Sequence, residues 1–308
     1  MKKSEFYFGS SDGRTQIRTV EWAADEPCAV LLLVHGIAEH IDRYDAFASF
    51  LADNGITVVG NDILGHGKSI AEKDDLGFFA ENDGWFTCVE DINLLRKQTA
   101  EKYATLPHFI LGHSMGSFLT RTYITKYAEG LSGAIISGTG ANPEIALTVG
   151  RVVAGIVAKK GGSHAKSETI RKMCFGSYNK RIESPKNENE WLSRDIAVSE
   201  KYCNDELCGF LPCATTYREM FRGISYIQKK DNIAKVPKSL PMLFVSGSED
   251  PVGSYGKGVQ QAVAGYKNVG IKDIAVKLYD GGRHEMLNET NREEVYADIL
   301  AWIKKKTV

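Results

Sequence analysis

Continuous apolar runs recur along the chain and alternate with segments of helical periodicity. The runs are Ala29–Val34, Ile56–Val59, His108–Leu111, Gly133–Ile136, Pro241–Val245 and Ile274–Leu278. Such runs are typical of parallel strands that are buried on both faces of a sheet. The helical periods fall in Tyr44–Asp53, Trp85–Tyr103, Phe118–Tyr127, Val259–Tyr266 and Arg292–Lys304. This alternation predicts an α/β fold with a mostly parallel, doubly wound sheet and right-handed crossovers.

Two parts of the chain depart from this alternation. Residues 5–8 and 16–22 alternate apolar and polar side chains on either side of a Ser-Ser-Asp-Gly turn, which predicts an antiparallel hairpin at a sheet edge. Residues 140–235 contain no buried-strand run but several helical segments, of which the first, Glu144–Ala158, is apolar. We therefore predict a core domain formed by residues 1–139 and 236–308, with a helical cap, residues 140–235, inserted into it.

Composition and charge exclude several classes of protein. The 308 residues carry 38 Lys+Arg against 39 Asp+Glu, and this balance lacks the basic field that nucleic-acid binding requires. No secretory-signal pattern follows Met1, and no apolar run is long enough to span a bilayer. The six cysteines include no C-x-x-C pair, and Cys203, Cys208 and Cys213 are spaced unfavourably for a shared metal. We expect a cytoplasmic protein with free thiols.

The most informative motif is Gly-His-Ser-Met-Gly at residues 112–116, which fits G-x-S-x-G. A buried strand precedes it and a helix follows, which is the context of a nucleophilic serine on a sharp strand-to-helix turn. Glycines on both sides avoid clashes in that strained turn. Ser114 is therefore the candidate nucleophile. The backbone N–H of Met115 lies at the start of the helix, where it can stabilise a developing oxyanion.

A nucleophilic serine needs a base and an acid that orients the base, and in this fold both follow the serine after later strands. His284 follows the last predicted strand, and it is the only histidine after Ser114 that does not fall in the cap. Asp250 follows the run Pro241–Val245 and is the candidate acid. Glu249 is a neighbouring alternative, and Asp280 is a third that lies close to His284 in the chain.

The loop after the first buried strand is expected to supply the second oxyanion donor, the amide of Ile37. His35 and His40 flank it, and we interpret them as hydrogen-bonding residues, because no carboxylate or cysteine cluster accompanies them. No metal is expected. Residues 65–69, Gly-His-Gly-Lys-Ser, lack the first glycine of a phosphate-binding loop, and Gly-Thr-Gly at 138–140 lacks the third glycine of a dinucleotide motif. We therefore expect no cofactor.

Together these motifs resemble one enzyme group, over residues 29–140 and 237–305. The resembling segments are His-Gly-Ile-Ala-Glu-His at 35–40 continuing to Arg43-Tyr44, Asp62 with Gly-His-Gly-Lys-Ser at 65–69, Gly-His-Ser-Met-Gly-Ser at 112–117 and Gly-Arg-His-Glu at 282–285. They are similar to those of serine α/β-hydrolases of the monoacylglycerol lipase and lysophospholipase-like group. The cap does not align by motif.

The resemblance implies roles for named residues. Ser114 would be the nucleophile, Asp250 and His284 its partners, and Ile37 and Met115 the oxyanion donors. Glu39 and Arg43 would lie beside the glycerol-binding part of the site, although a buried salt bridge that braces the loop is an equal alternative.

The expected activity is hydrolysis of a lipid monoester, a monoacylglycerol or lysophospholipid, through an acyl-enzyme. The apolar segment Glu144–Ala158 would line an acyl channel or make transient contact with a membrane surface, unless it packs as an ordinary buried cap helix. The alternatives are a prolyl aminopeptidase, a small-ester carboxylesterase, and a non-catalytic ligand receptor on the same frame. His-Gly-Ile-Ala at 35–38 differs from the His-Gly-Gly-Pro-Gly loop that prolyl aminopeptidases usually have. This difference argues against the peptidase. The sequence does not indicate an oligomeric state.

Overall fold

A single sheet organises the computed structural model, which describes residues 1–307. Its strands are β1 Lys2–Gly9, β2 Gln16–Ala23, β3 Ala29–Val34, β4 Ile56–Asn61, β5 His108–His113, β6 Leu131–Ser137, β7 Met242–Gly247 and β8 Ile274–Tyr279. Their order across the sheet is β1-β2-β4-β3-β5-β6-β7-β8. The strands from β4 to β8 in this order are parallel, whereas β2 pairs antiparallel with both β1 and β4. The predicted mostly parallel sheet and its N-terminal hairpin are confirmed.

Helices connect the strands and cover both faces of the sheet. They are α1 Asp45–Asp53, α2 Gly84–Lys102, α3 Met115–Tyr127, α4 Glu144–Gly161, α5 Glu168–Phe175, α6 Ile196–Asn204, α7 Ala214–Gln228, α8 Lys230–Ile233, α9 Lys257–Asn268 and α10 Arg292–Lys306. In β3, Leu31 and Leu33 pack on the side of α1 and α10, and Val30 and Leu32 pack on the side of α2, α3 and α9. Both faces are therefore apolar, and the strand is a continuous apolar run.

Strand β8 differs from the prediction in its burial. The run Ile274–Leu278 forms a strand, but Lys277 and Leu278 are exposed. The expectation of burial on both faces is wrong here, because β8 is the last strand of the sheet. An edge strand has a neighbour on one side only, and its side chains are covered less completely.

The chain between β6 and β7 forms helices α4 to α8, with two short 3₁₀ segments, Tyr178–Arg181 and Glu190–Leu192, between α5 and α6. Helix α7 packs against α4 and also against α2 and α3 of the sheet layer. Gly223 of α7 lies so close to Trp85 of α2 that a Cβ there would be 2.0 Å from the indole ring. The indole N–H in turn donates to the hydroxyl of Thr122 on α3. The exact division into core and cap domains stays a prediction.

Helix α4 has one buried face and one exposed face. Leu147 and Ala154 are buried, and Gly150 allows close contact with the ring of Phe221 on α7. The opposite face carries exposed apolar side chains, which we call the apolar stripe: Ile145, Val149, Val152 and Ile156. No helix within residues 1–307 is long and apolar enough to cross a membrane.

Candidate active site

Ser114 lies between β5 and α3 on a strained turn. Its backbone angles are φ 54° and ψ −122°, in a region that costs a non-glycine residue about 1–3 kcal/mol. The flanking glycines are required by close approach. A Cβ at Gly112 would lie 2.2 Å from the carbonyl oxygen of Gly116, and one at Gly116 would lie 2.1 Å from that of Val34. The turn is thus held against β3, with the Ser114 side chain on the wall of a cavity.

The loops after β7 and β8 bring an acid and a histidine together. Nδ1 of His284 lies 3.0 Å from Oδ1 of Asp250, and both side chains are buried. Because an ionised carboxylate only accepts, Nδ1 carries the proton and Nε2 of the neutral ring is an acceptor. The Val252 amide and the Ser246 hydroxyl also donate to Asp250, which fixes its carboxylate.

The two alternative acids lie elsewhere. Glu249 is exposed and pairs with Arg181 at 3.3 Å, and Asp280 is exposed at the end of β8. Nε2 of His284 has no hydrogen-bond partner within residues 1–307. Ser114 and His284 line the same cavity. Of the three candidate acids, the structure therefore brings Asp250 to His284.

The pKa values of two neighbouring histidines are shifted in opposite directions. Burial disfavours the charged form of His284, but Asp250 outweighs burial through its charge and hydrogen bond, so the pKa of His284 is raised above its ordinary value. His113 packs against it, with ring centroids 4.7 Å apart. Burial and the proximity of His284 lower the pKa of His113 to about 4. His113 is thus neutral at neutral pH, and His284 is the ring that can gain a proton.

Backbone amides near Ser114 are available for an oxyanion. The loop after β3 approaches the serine closely, since a Cβ on Gly36 would lie 3.1 Å from Cβ of Ser114. Within residues 1–307, the amides of Ile37 and Met115 donate no hydrogen bond to the protein. Ile37 lines the cavity, and Met115 is the first residue of α3. Two unpaired donors on segments adjacent to the serine suit a negatively charged oxygen.

Glu39 and Arg43 belong to a buried ionic cluster. Arg43 donates to both oxygens of Glu285, at 2.7 and 2.8 Å, and also to Glu39. Glu39 accepts from the amide of Gly36 and from the hydroxyl of Tyr44. Burial alone would raise the pKa of Glu39, but the charge of Arg43, together with smaller contributions from His113, His35 and the Tyr44 hydrogen bond, outweighs burial and the pKa is lowered. Glu39 lies on the cavity wall and Arg43 does not, so any contact of Arg43 with substrate stays a prediction.

The cavity beside Ser114 has a volume of about 730 Å³. Its apolar wall includes Phe175, Trp191 and Leu211, and its outer part carries charged side chains such as Lys172 and Lys180. The volume is that of a small-molecule site. A cavity with this mixed lining can hold a molecule that has an apolar part and a polar part.

Comparison with known proteins gives one family over most of the chain. Residues 25–291 match the family model described as serine aminopeptidase, S33. The chain belongs to this family. It is an α/β-hydrolase of the monoacylglycerol lipase and lysophospholipase-like group, as the sequence motifs predicted.

Characterised relatives share nearly the whole length of this α/β-hydrolase. It is 28% identical to the monoacylglycerol lipase of Mycolicibacterium smegmatis over 98% of this chain and 97% of that protein. It is 24% identical to the phospholipase YtpA of Bacillus subtilis over 91% of this chain and 97% of that protein. A highly thermostable carboxyl esterase from Bacillus coagulans, solved in complex with glycerol, is 30% identical and superimposes with a TM-score of 0.93 over 100% of both chains. The hydrolase is thus a serine ester hydrolase.

The two histidines of the loop after β3, the candidate oxyanion loop, are held by hydrogen bonds. His35 accepts from the amide of Ile63 through Nε2, and His40 pairs with Asp205 at 2.9 Å. Asp205 and Cys208 lie together with His40, close enough to be metal ligands. The expectation that no carboxylate or cysteine accompanies these histidines is therefore wrong, because the fold brings together residues about 165 positions apart. The absence of a metal stays a prediction.

Helix α4 does not have the predicted place in the site. None of its residues is on the wall of the 730 Å³ cavity as the structure describes it. The interpretation of Glu144–Ala158 as the wall of an acyl channel is therefore wrong for this cavity. The sequence gives the period of the helix but not the direction of its two faces, and the cavity is covered instead by α5, the 188–192 segment and the 209–212 segment.

Several residues of the site carry no motif that could have identified them. Trp191 accepts from the amide of His284 through its carbonyl, and its ring packs 4.9 Å from the imidazole. Glu285 belongs to the Gly-Arg-His-Glu segment at 282–285, but that segment did not indicate its pairing with Arg43. Tyr217 of α7 also lines the cavity. These residues belong to the site because the fold brings them next to His284 or onto the cavity wall.

Proposed function

We propose that this hydrolase cleaves the carboxylic ester of a lipid monoester, a monoacylglycerol or lysophospholipid, through an acyl-enzyme. The observation that carries the proposal is the common position of Ser114 and the His284–Asp250 pair at one cavity with an apolar wall and a charged outer part. An acyl chain fits the first environment and an alcohol head group fits the second. The monoacylglycerol lipase and phospholipase among the relatives support the same class of substrate.

In the proposed mechanism, the Ser114 oxygen attacks the ester carbonyl carbon while Nε2 of His284 accepts its proton. Asp250 holds the proton on Nδ1 and stabilises the imidazolium that forms. The amides of Ile37 and Met115 stabilise the oxyanion. The intermediate then releases the alcohol, which takes the proton from His284. A water molecule, deprotonated by His284, attacks the acyl-enzyme. The bond between the acyl carbon and the Ser114 oxygen then breaks, Ser114 takes the proton back from His284, and the fatty acid leaves.

The charges at the cavity favour an ester over a peptide with a free amino terminus. An aminopeptidase needs an acidic group that can bind the substrate ammonium. Glu39 and Glu285 on the cavity wall are both paired with Arg43. Two glutamates of the outer part, Glu168 and Glu188, are both paired with Arg171. Within the part of the chain that the structure describes, every glutamate of this cavity is thus already engaged in an ion pair with an arginine, and each arginine is shared by two glutamates.

We further infer a transient contact between the apolar stripe of α4 and a lipid surface, which supplies the substrate. The stripe is unusually exposed for aliphatic residues, with Ile145 81% accessible. Exposed apolar patches of this kind mark surfaces that bind lipid or protein. Lys159 and Lys160 follow the stripe at the end of the same helix, where they can meet lipid phosphates. The cytoplasmic location expected from the sequence stays a prediction.

A substrate panel tests the proposed activity. Monoacylglycerols and lysophospholipids should give higher kcat/KM than p-nitrophenyl butyrate, and prolyl p-nitroanilide should give none. Ser114→Ala should lower kcat by about 10⁴-fold, because a triad member is lost, while the melting temperature is kept.

Other outcomes would distinguish the alternatives. Preferred cleavage of the prolyl amide would replace the proposal with a peptidase, and preferred cleavage of the butyrate ester with a small-ester carboxylesterase. Lipid binding without turnover by the wild type would favour a receptor. Ser114→Ala activity within about tenfold of wild type would exclude Ser114 as nucleophile.

A further inference from the structure

One segment of the helical insertion between β6 and β7 is bonded to the loop that carries His284. The amide of His284 donates to the carbonyl of Trp191 at 3.3 Å, and the next amide of the loop donates to the next carbonyl of the segment at 2.7 Å. The Arg283 side chain donates to two further carbonyls, those of Glu190 and Ser193, at 2.7 and 3.0 Å. The backbone of Trp191 is therefore fixed relative to the proposed base.

The indole of Trp191 packs on the imidazole of His284. Their centroids are 4.9 Å apart, and the ring planes are inclined by 39°, nearer to parallel than to perpendicular. Two rings of the insertion pack on the same indole. Phe175 stacks on it with an angle of 11° between the planes, and Tyr178 meets it edge-on with the centroids 4.8 Å apart. These contacts restrain the indole beside the imidazole.

A positive charge forms on this imidazole during the proposed reaction. His284 is only 1% exposed, so water solvates that charge poorly. The face of an aromatic ring carries partial negative charge and attracts a cation that lies within about 6 Å of its centroid, and indole does so most strongly. The distance between Trp191 and His284 meets this requirement. The contact should therefore favour the imidazolium over the neutral ring.

The chief charged groups that act on His284 within residues 1–307 lie outside the insertion. Burial lowers the pKa of His284, and Asp250 outweighs it through its charge and hydrogen bond. Glu285 and Glu39 add smaller contributions that also raise this pKa, and both of them pair with the same arginine. The ring of His113 also packs on His284, but it is neutral at neutral pH. Replacement of the indole changes none of these charges.

We propose that Trp191 is a positioning residue for the base, and that its indole stabilises the imidazolium form of His284 in the transition states of the reaction. This inference rests on the proposed function, since it takes His284 as the base. The helical insertion then contributes to the chemistry as well as to the walls of the cavity, because it supplies the ring that meets the imidazole.

Trp191→Leu removes the ring and keeps the backbone carbonyl. With p-nitrophenyl butyrate as substrate, the high-pH plateau of kcat should fall about 5- to 30-fold, as expected for the loss of one buried cation–π contact. The pH midpoint of kcat/KM should also fall, by about half a pH unit or more, because the imidazolium loses a stabilising contact. Trp191→Phe keeps a weaker aromatic face. Its kcat and midpoint should lie between those of Trp191→Leu and wild type, and it decides the test alone if Trp191→Leu does not fold.

Tyr178→Leu is the matched control. Tyr178 packs on Trp191 in the same group of rings, but within the described residues it has no ring contact with His284 and does not line the catalytic cavity. Its pH midpoint should equal that of wild type. A lower kcat with an unchanged midpoint in the Trp191 variants would reduce Trp191 to a packing role and overturn the inference. An equal fall of the midpoint in Tyr178→Leu would also overturn it.

A proton NMR titration of the His284 ring measures the same midpoint without substrate. It should be lower in Trp191→Leu and Trp191→Phe than in wild type, and an unchanged value would overturn the inference. Absence of ester hydrolysis by the wild type, or its retention in Ser114→Ala, would instead overturn the proposed function. The two failures are therefore distinguishable.

Discussion

At the scale of the residue, His284 depends on Asp250 for both its orientation and its charge. The carboxylate fixes the proton on Nδ1 and leaves Nε2 directed to other partners. It also raises the pKa of the ring despite complete burial. As the proposed base, His284 would be active only when neutral, so Asp250 would set the pH range of the reaction as well as its rate.

Asp250→Asn therefore has two expected effects on ester hydrolysis. The amide favours the wrong tautomer of His284, and kcat should fall by about 10⁴-fold. In wild type, kcat/KM should rise with pH as His284 loses its proton, with a midpoint above the ordinary value of 6.5. The midpoint should be lower in Asp250→Asn, because the imidazolium loses the charge that stabilises it. A pH profile of kcat/KM for both proteins measures this.

Glu249→Gln is the control for this prediction. Glu249 is exposed and pairs with Arg181 at the surface, where an ion pair contributes about 0–1 kcal/mol. The kcat and the pH midpoint of Glu249→Gln should stay close to those of wild type. Equal losses in the two variants, or a midpoint that does not move in Asp250→Asn, would contradict the assignment of Asp250.

At the scale of the element, helix α4 shows how one amphipathic segment can be predicted as a helix and still be placed wrongly. Its apolar residues occur on both sides of the helix, so the period alone does not say which side faces protein. Packing of Gly150 against Phe221 decides this, since only a residue without a side chain allows that contact. The apolar stripe is consequently directed outward.

The double variant Val149→Gln, Ile156→Gln tests the outward stripe. Both side chains are about half exposed, with accessibilities of 49% and 50%, and their insertion into a bilayer surface would remove apolar area from water. We expect the variant to bind phosphatidylcholine vesicles about tenfold or more weakly than wild type in a sedimentation assay. Activity on p-nitrophenyl butyrate should not change, because α4 does not line the cavity.

Tyr7→Gln is the matched control, since Tyr7 on β1 is also 49% exposed but belongs to the edge of the sheet. It should bind vesicles as wild type does. Unchanged vesicle binding by the double variant, together with a shift from dimer to monomer, would assign the stripe to contact with a second copy. A loss of short-ester activity and of stability would instead assign it to the interior of the helical region.

At the scale of the whole molecule, Arg43 joins segments that lie far apart in the chain. It pairs with Glu39 in the loop after β3 and with Glu285 in the loop after β8. Glu285 lies 242 residues after Arg43 in the chain. Its guanidinium also lies over the ring of Tyr202 on α6, at 4.9 Å from the centroid. The loop after β3, the loop after β8 and the helical insertion therefore meet at one buried cation.

Arg43→Ala should lower the free energy of unfolding by about 3–5 kcal/mol, because it leaves two buried carboxylates without their counter-charge. Chemical denaturation measures this. The control is Lys3→Ala, which removes an exposed partner of Asp45 and should cost less than about 1 kcal/mol. A loss below about 1 kcal/mol for Arg43→Ala would show that the cluster does not hold these loops together.

The sequence by itself determined the features that depend on near neighbours in the chain. The buried runs specify strands, and the two glycines around Ser114 specify the turn, because their steric requirements involve residues only a few positions away or one adjacent strand. The order of Ser114, Asp250 and His284 follows from the succession of strand ends. The fold and the family were therefore predictable, and the three side chains could be named.

Only the tertiary structure decided which groups meet across long separations. Asp250 and Glu249 are adjacent in sequence, and their difference lies in direction: one carboxylate is buried against His284 and the other is exposed. The contacts of Trp191, Tyr217 and Glu285 likewise have no local signature. The physical reason is that burial, pairing and the side on which a helix packs depend on the whole set of neighbours in space, which no short stretch of sequence contains.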